Sequence, residues 1–88
     1  MTPIYVDFLK RDSFGRVKLT TIGTREDLAA QGIELHEGMR LVFWSDDADN
    51  AGARHDLLAD GVVMFNESDG VWVADIDENS FRHVSDES

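Results

Sequence analysis

The chain has 88 residues, no cysteine, and 18 acidic against 8 basic side chains, giving a formal net charge of −10 at pH 7. That length fits one domain with one modest core, and the lack of cysteine removes disulfides, zinc–thiolate sites and thiol nucleophiles. The charge is unevenly placed: residues 1–44 hold six basic and six acidic side chains, whereas residues 45–88 hold only Arg54 and Arg82 against twelve acids. A field of that sign repels phosphate backbones and anionic lipid surfaces, so neither direct nucleic-acid binding nor membrane binding is expected. Residues 1–7 carry neither the basic nor the apolar region of a signal peptide, and no apolar run nears the ~20 residues that span a bilayer. A cytoplasmic location is the expectation.

Residues 4–9 alternate, with Ile4, Val6 and Phe8 on one face, and read as a first strand. A polar connection closed by Gly15 leads to residues 16–20, where Val17 and Leu19 point inward, and the two strands are expected to form a hairpin. The helix signal lies at residues 24–32: Thr24 can cap it, Glu26 and Asp27 complement the dipole of a first turn, and Gly32 supplies the left-handed residue past its end. Residues 33–35 alternate into a turn at residues 36–38. Residues 39–44 form a strand with apolar side chains on both faces, followed by a long polar loop over residues 45–56.

Leu57 and Leu58 lead into residues 61–76, which carry the strongest hairpin signal, two apolar runs around a polar loop that ends in Gly70. A symmetric four-residue loop pairs Phe65 with Trp72 and Val63 with Ala74, leaving Met64 and Val73 together on the other face. Residues 77–80 make a polar turn, and residues 81–84 a last short strand. The predicted architecture is mainly β: an SH3-like, partly open antiparallel barrel of roughly five to six strands with one short helix. A two-layer α+β arrangement, with the helix across the sheet, is the alternative. Residues 1–84 form the barrel domain, and residues 85–88 a disordered acidic tail.

The segment Glu37-Gly38-Met39-Arg40-Leu41-Val42-Phe43 with Asp46-Asp47, and Gly61-Val62-Val63 with Trp72-Val73-Ala74-Asp75-Ile76-Asp77, resemble small bacterial SH3-like β-barrel proteins. The resemblance implies a fold and brings no catalytic residue, ligand or peptide groove with it.

The loop at residues 46–52 invites a calcium reading, since Asp47, Asp49 and Gly52 match the first, third and sixth positions of an EF-hand loop. Ala51 at the fifth position and Leu58 at the twelfth break that match, which leaves a looser Ca2+ or Mg2+ site on Asp46, Asp47, Asp49 and Asp56. His36, His55 and His83 lack the close spacing of a metal pair, and the serines near His55 and His83 sit on no nucleophile elbow, so no catalytic residue is assigned and enzyme activity is not expected. The apolar residues in excess of one interior point elsewhere. Val42, Trp44, Met64, Val71 and Val73 lie on second faces of their strands, where they either pack under the helix or form a surface for a protein partner or for self-association. The expected function is a non-catalytic interaction or regulatory module. The alternatives are a divalent-cation module on the acidic loop, or an acidic nucleic-acid mimic that binds a basic protein.

Overall fold

The fold is organised by one long strand. In the computed structural model, which describes residues 2–46 and 56–83, β4 (Leu57–Asn66) runs for ten residues and pairs with three other strands along its length. Its first part lies antiparallel to β3 (Arg40–Ser45) on one side and to β6 (Arg82–His83) on the other; its second part lies antiparallel to β5 (Val71–Ile76). Two short strands complete the sheet: β1 (Ile4–Tyr5) beside β3, and β2 (Val17–Lys18) beside β5. The order is β1-β3-β4-β5-β2, with β6 at β4. One α-helix, α1 (Ile22–Ala30), and a 3₁₀ turn (Glu78–Ser80) are the other elements. The chain is mainly β, a curled half-barrel sheet with one short helix.

The β4–β5 register is the one the symmetric loop predicts, with Val63 opposite Ala74, Phe65 opposite Trp72 and Met64 opposite Val73. The loop closes with the Gly70 amide donating to the Asn66 carbonyl at 2.8 Å. Ile4, Val6, Phe8, Val17, Leu19, Leu41, Phe43, Ala59, Val63, Ala74 and Ile76 share one core with Leu28 from the helix. Phe43 is its largest fully buried side chain. Gly61 sits where β4 has β3 and β5 on its two sides, opposite Leu41 and Ile76. A Cβ built there would lie 2.9 Å from both Phe43 Cε2 and Ile76 Cδ1, so the missing side chain is what lets the ring and the isoleucine meet over the strand.

Three local expectations are corrected. The first two strands do not pair with each other: β1 runs parallel to β3, and β2 antiparallel to β5. The chain between them turns on itself instead. Asp12 N–H donates to the Arg16 carbonyl at 2.8 Å, Lys18 N–H to the Lys10 carbonyl at 2.8 Å, and the Asp12 carboxylate accepts the Phe14 and Arg16 amides. Alternation correctly assigns the buried faces of both segments but carries no information about which strand lies alongside. The helix starts earlier than predicted, because Thr21, with φ −72° and ψ 155°, is its N-cap and accepts the Thr24 amide. Thr24 is therefore buried inside the helix, and Glu26 and Asp27 fall beyond the first turn. At the other end the expected glycine does close α1. Gly32 has φ +65°, its amide donates to Ala29 O and the Ile33 amide to Leu28 O, the paired bonds of a Schellman motif. The last strand starts at Arg82 rather than Phe81, and residue 84 with the tail at residues 85–88 lies outside the described residues.

Candidate functional site

Side chains alternate across the sheet, so fixing the inner face fixes the outer one. Three rows cross the outer face of β3, β4 and β5. Arg40 lies opposite Val62, which lies opposite Asp75; Val42 lies opposite Asp60; Met64 lies opposite Val73, which lies opposite Lys18 of β2. Between the first two rows runs an open trough of about 480 Å³, lined by Arg40, Val42, Asp60, Val62, Asp75 and Asp77 together with Leu41 and Gly61. Val42 and Val62 are half-buried and supply its apolar surface; Arg40, Asp60, Asp75 and Asp77 are exposed and supply its charge.

One end of the trough is held by short polar contacts. The Asp77 amide donates to the Asp60 carbonyl at 2.9 Å, and Ser80 Oγ accepts the Asp60 amide at 2.8 Å while donating to the Asp77 carbonyl at 2.6 Å. Arg82 approaches the Asp60 carboxylate at 3.4 Å. The 3₁₀ turn is capped by Asp77, whose carboxylate accepts the Asn79 amide at 3.0 Å. Asp60 and Asp77 are both exposed at this end of the trough, the Asp60 carboxylate beside Arg82 and the Asp77 carboxylate on the Asn79 amide.

The predicted partner-binding residues divide. Val42 lines the trough. Trp44 is half-buried, its ring edge-on to Tyr5 with centroids 5.1 Å apart and its indole N–H directed at Asp27 Oδ2 at 3.4 Å, so it belongs to the junction of β1 and α1. Met64 and Val71 are half-buried, and Arg16 reaches the Met64 sulfur at 3.8 Å. Val73 is corrected: it is fully buried and offers no surface, lying opposite Met64 and Lys18 in the register. Among the described residues the large apolar side chains that do stand in solvent are Leu9, Phe14 and Ile22, on separate turns and the helix start, with the Arg16 guanidinium over the Phe14 ring at 5.0 Å.

For the predicted cation site, Asp46 is exposed and Asp56 half-buried, while Asp47 and Asp49 lie outside the described residues. Among the described residues no three acidic or histidine side chains converge as metal ligands would. His36 is exposed, with Nδ1 at 3.1 Å from the Glu37 carbonyl, and His83 is half-buried in β6; His55 lies outside the described residues.

A buried polar cluster that sequence reasoning missed ties the turn before β2 to the β4–β5 loop. Asp12 accepts the Phe14 and Arg16 amides at 2.9 Å each on Oδ1, and Arg16 Nε at 2.9 Å and Asn66 Nδ2 at 3.0 Å on Oδ2. Asn66 is also buried; its Nδ2 reaches Asp69 Oδ2 at 3.3 Å, and its Oδ1 accepts the Asp69 amide at 3.0 Å. Burial alone would raise the Asp12 pKa, but the hydrogen bonds from Arg16, Phe14 and Asn66 outweigh it and hold the carboxyl below its ordinary 3.8. No buried side-chain nitrogen or oxygen among the described residues lacks a partner, which marks the cluster as a structural clasp.

Arg40, Asp60, Val62, Asp75 and Asp77 were also unrecognised. The hairpin register would have placed Val62 opposite Asp75; the missing signal was the β3–β4 register that brings Arg40 and Val42 alongside. Comparison with protein families, curated proteins and solved structures finds no match for this chain. No helix among the described residues is long and apolar enough to cross a membrane.

Proposed function

We propose that this chain is a non-catalytic interaction module that receives a protein partner on the outer face of β3, β4 and β5. The observation that carries the reading is the trough, where half-buried Val42 and Val62 lie among Asp60, Asp75, Asp77 and Arg40. Apolar floor with polar rim is the arrangement of a protein contact: burial of the floor supplies affinity, and the rim sets orientation and on-rate. With three carboxylates against one guanidinium in the lining, and a net charge of −10, the complementary partner presents an aliphatic side chain flanked by lysine or arginine.

The test is a photo-crosslinking residue placed at Val62, with a second placed at exposed Glu34 as control. A discrete adduct from position 62, lost on adding Val42→Arg and weakened by salt, supports the reading. The same adducts from both positions, or none from position 62, refute it.

A further inference from the structure

The Arg16 guanidinium is pinned from several directions. Nε donates to Asp12 Oδ2 at 2.9 Å, the group lies over the Phe14 ring at 5.0 Å from its centroid, and Nη1 points at the Met64 sulfur at 3.8 Å. Only 17% of the Arg16 side chain is exposed. The bond to Asp12 is charge-assisted and strong. The contact with Met64 is not, because a thioether sulfur is a weak acceptor. A charged N–H in a fixed position thus faces a poor partner, on a methionine that stands half-buried in β4.

One oxygen on that sulfur would change the pairing. A thioether attacks a peroxide through a sulfur lone pair: the S–O bond forms as the O–O bond breaks, the proton on the transferred oxygen passes to the departing hydroxide, and water leaves. Sulfur is oxidised to the sulfoxide and the peroxide is reduced. The sulfoxide oxygen carries partial negative charge and accepts well. The 3.8 Å from Nη1 to sulfur suits it, since an oxygen bonded to sulfur and about 2.8 Å from Nη1 fits between them in a bent arrangement with the guanidinium where it is. A sulfoxide usually disrupts its surroundings by putting a polar group among apolar ones. That is the expectation at Met39, also half-buried, which packs against the core. At Met64 the donor is already in place, on a planar fork set by Asp12 and Phe14, so little freedom is lost when the bond forms.

We propose that Met64 is a site of oxidation by peroxides at which the sulfoxide accepts Arg16 Nη1, so that oxidation tightens the attachment of the turn at residues 12–16 to β4. The experiment treats the folded chain with dilute hydrogen peroxide, identifies by mass spectrometry the species with one oxygen added at Met64, and compares its amide exchange with that of the reduced chain. Exchange at Asp12, Gly15 and Arg16, whose amides close the turn, is expected to slow by roughly threefold or more, with α1 unchanged and no fall in thermal midpoint. Met64→Leu, treated identically, should show no slowing. Arg16→Lys keeps the charge but lacks the fork's second donor, and should lose the slowing. If that variant does not fold, the Arg16 Nη protons of the unsubstituted chain decide the point by shifting and exchanging more slowly once Met64 is oxidised. Faster exchange in the turn with a lowered midpoint, the same slowing in Met64→Leu, unchanged Nη protons, or a Met64 that stays reduced while Met39 is oxidised overturns the proposal.

Discussion

Replacing Gly61 with alanine tests the packing account most directly. The new Cβ would sit 2.9 Å from Phe43 Cε2, 3.2 Å from Phe43 Cδ2 and 2.9 Å from Ile76 Cδ1. Carbon atoms are content at about 3.5–4.0 Å, so both neighbours must retreat by roughly half an ångström or more. Ile76 Cδ1 is the end of a flexible side chain and can rotate. Phe43 is a rigid ring with no exposed surface at the centre of the core, and has nowhere to go without moving others. Overpacking of this kind costs about 1–3 kcal/mol. Alanine restricts the unfolded chain and returns about 0.4–1 kcal/mol. The net expectation is a loss of about 1–2 kcal/mol, read as a fall in thermal midpoint of roughly 4–8 °C per kcal/mol for a domain of this size. A cycle with Phe43→Leu separates the contact from propensity: shrinking the ring should relieve part of the alanine cost, with a coupling of about 0.5 kcal/mol or more. A neutral or stabilising Gly61→Ala, or strict additivity with Phe43→Leu, would show that the close approach of β3, β4 and β5 at this point does not hold.

The Asp12 clasp makes stability pH-dependent in a definite sense. Its carboxyl titrates below 3.8 when folded, so between its two pKa values the unfolded chain binds more protons and stability rises with pH. That contribution is complete above the unfolded value and lost as pH falls through the folded one; Asp12→Asn should therefore flatten the acid limb of a thermal-midpoint profile below about pH 4, and an unchanged limb would refute the assignment. At neutral pH the same substitution turns a donor toward Arg16 or Asn66, at an expected cost of about 1–3 kcal/mol in denaturant unfolding. Leu28→Ala removes the apolar side chain that α1 contributes to the core and should cost about 2–3 kcal/mol; exchange protection in α1 should fall further than in β5, and equal losses would mean that α1 opens only together with the sheet.

The β4–β5 hairpin was legible because everything that specifies it is local: two apolar runs, a four-residue loop, and a glycine with φ +66° at its end. The buried faces of residues 4–8 and 17–19 were legible for the same reason, since alternation is a local property. What those strands lie beside was not. The partners of β1 and β2 come from residues 43–44 and 73–74, and nothing within the first twenty residues encodes that. The helix start was misplaced because Gly23 is a poor helix former and Thr24 a good cap; tertiary contact decides otherwise, since the glycine admits Tyr5 and Thr24 is needed at the Tyr5 carbonyl. Whether Val73 was covered was not legible either, because the pattern shows which face a residue occupies and not how far that face is buried.

Position 61 also links the core to the proposed docking face. On the inner side its absent side chain lets Phe43 and Ile76 pack over β4; on the outer side its neighbours Asp60 and Val62 form rim and floor of the trough. Three strands overlap at this point, so the rows that build the trough exist only while the core holds the same register. A loss of partner binding in a core variant would thus report lost register rather than a lost contact. Charge reversal at Asp75, exposed and remote from the core by alternation, acts on the outer side alone. Asp75→Lys should leave the unfolding free energy within about 0.5 kcal/mol of the parent, as exposed substitutions do, while reversing the salt response of binding. A variant that binds as before, with the same salt slope, would remove the carboxylate rim from the recognition surface and leave only the aliphatic floor.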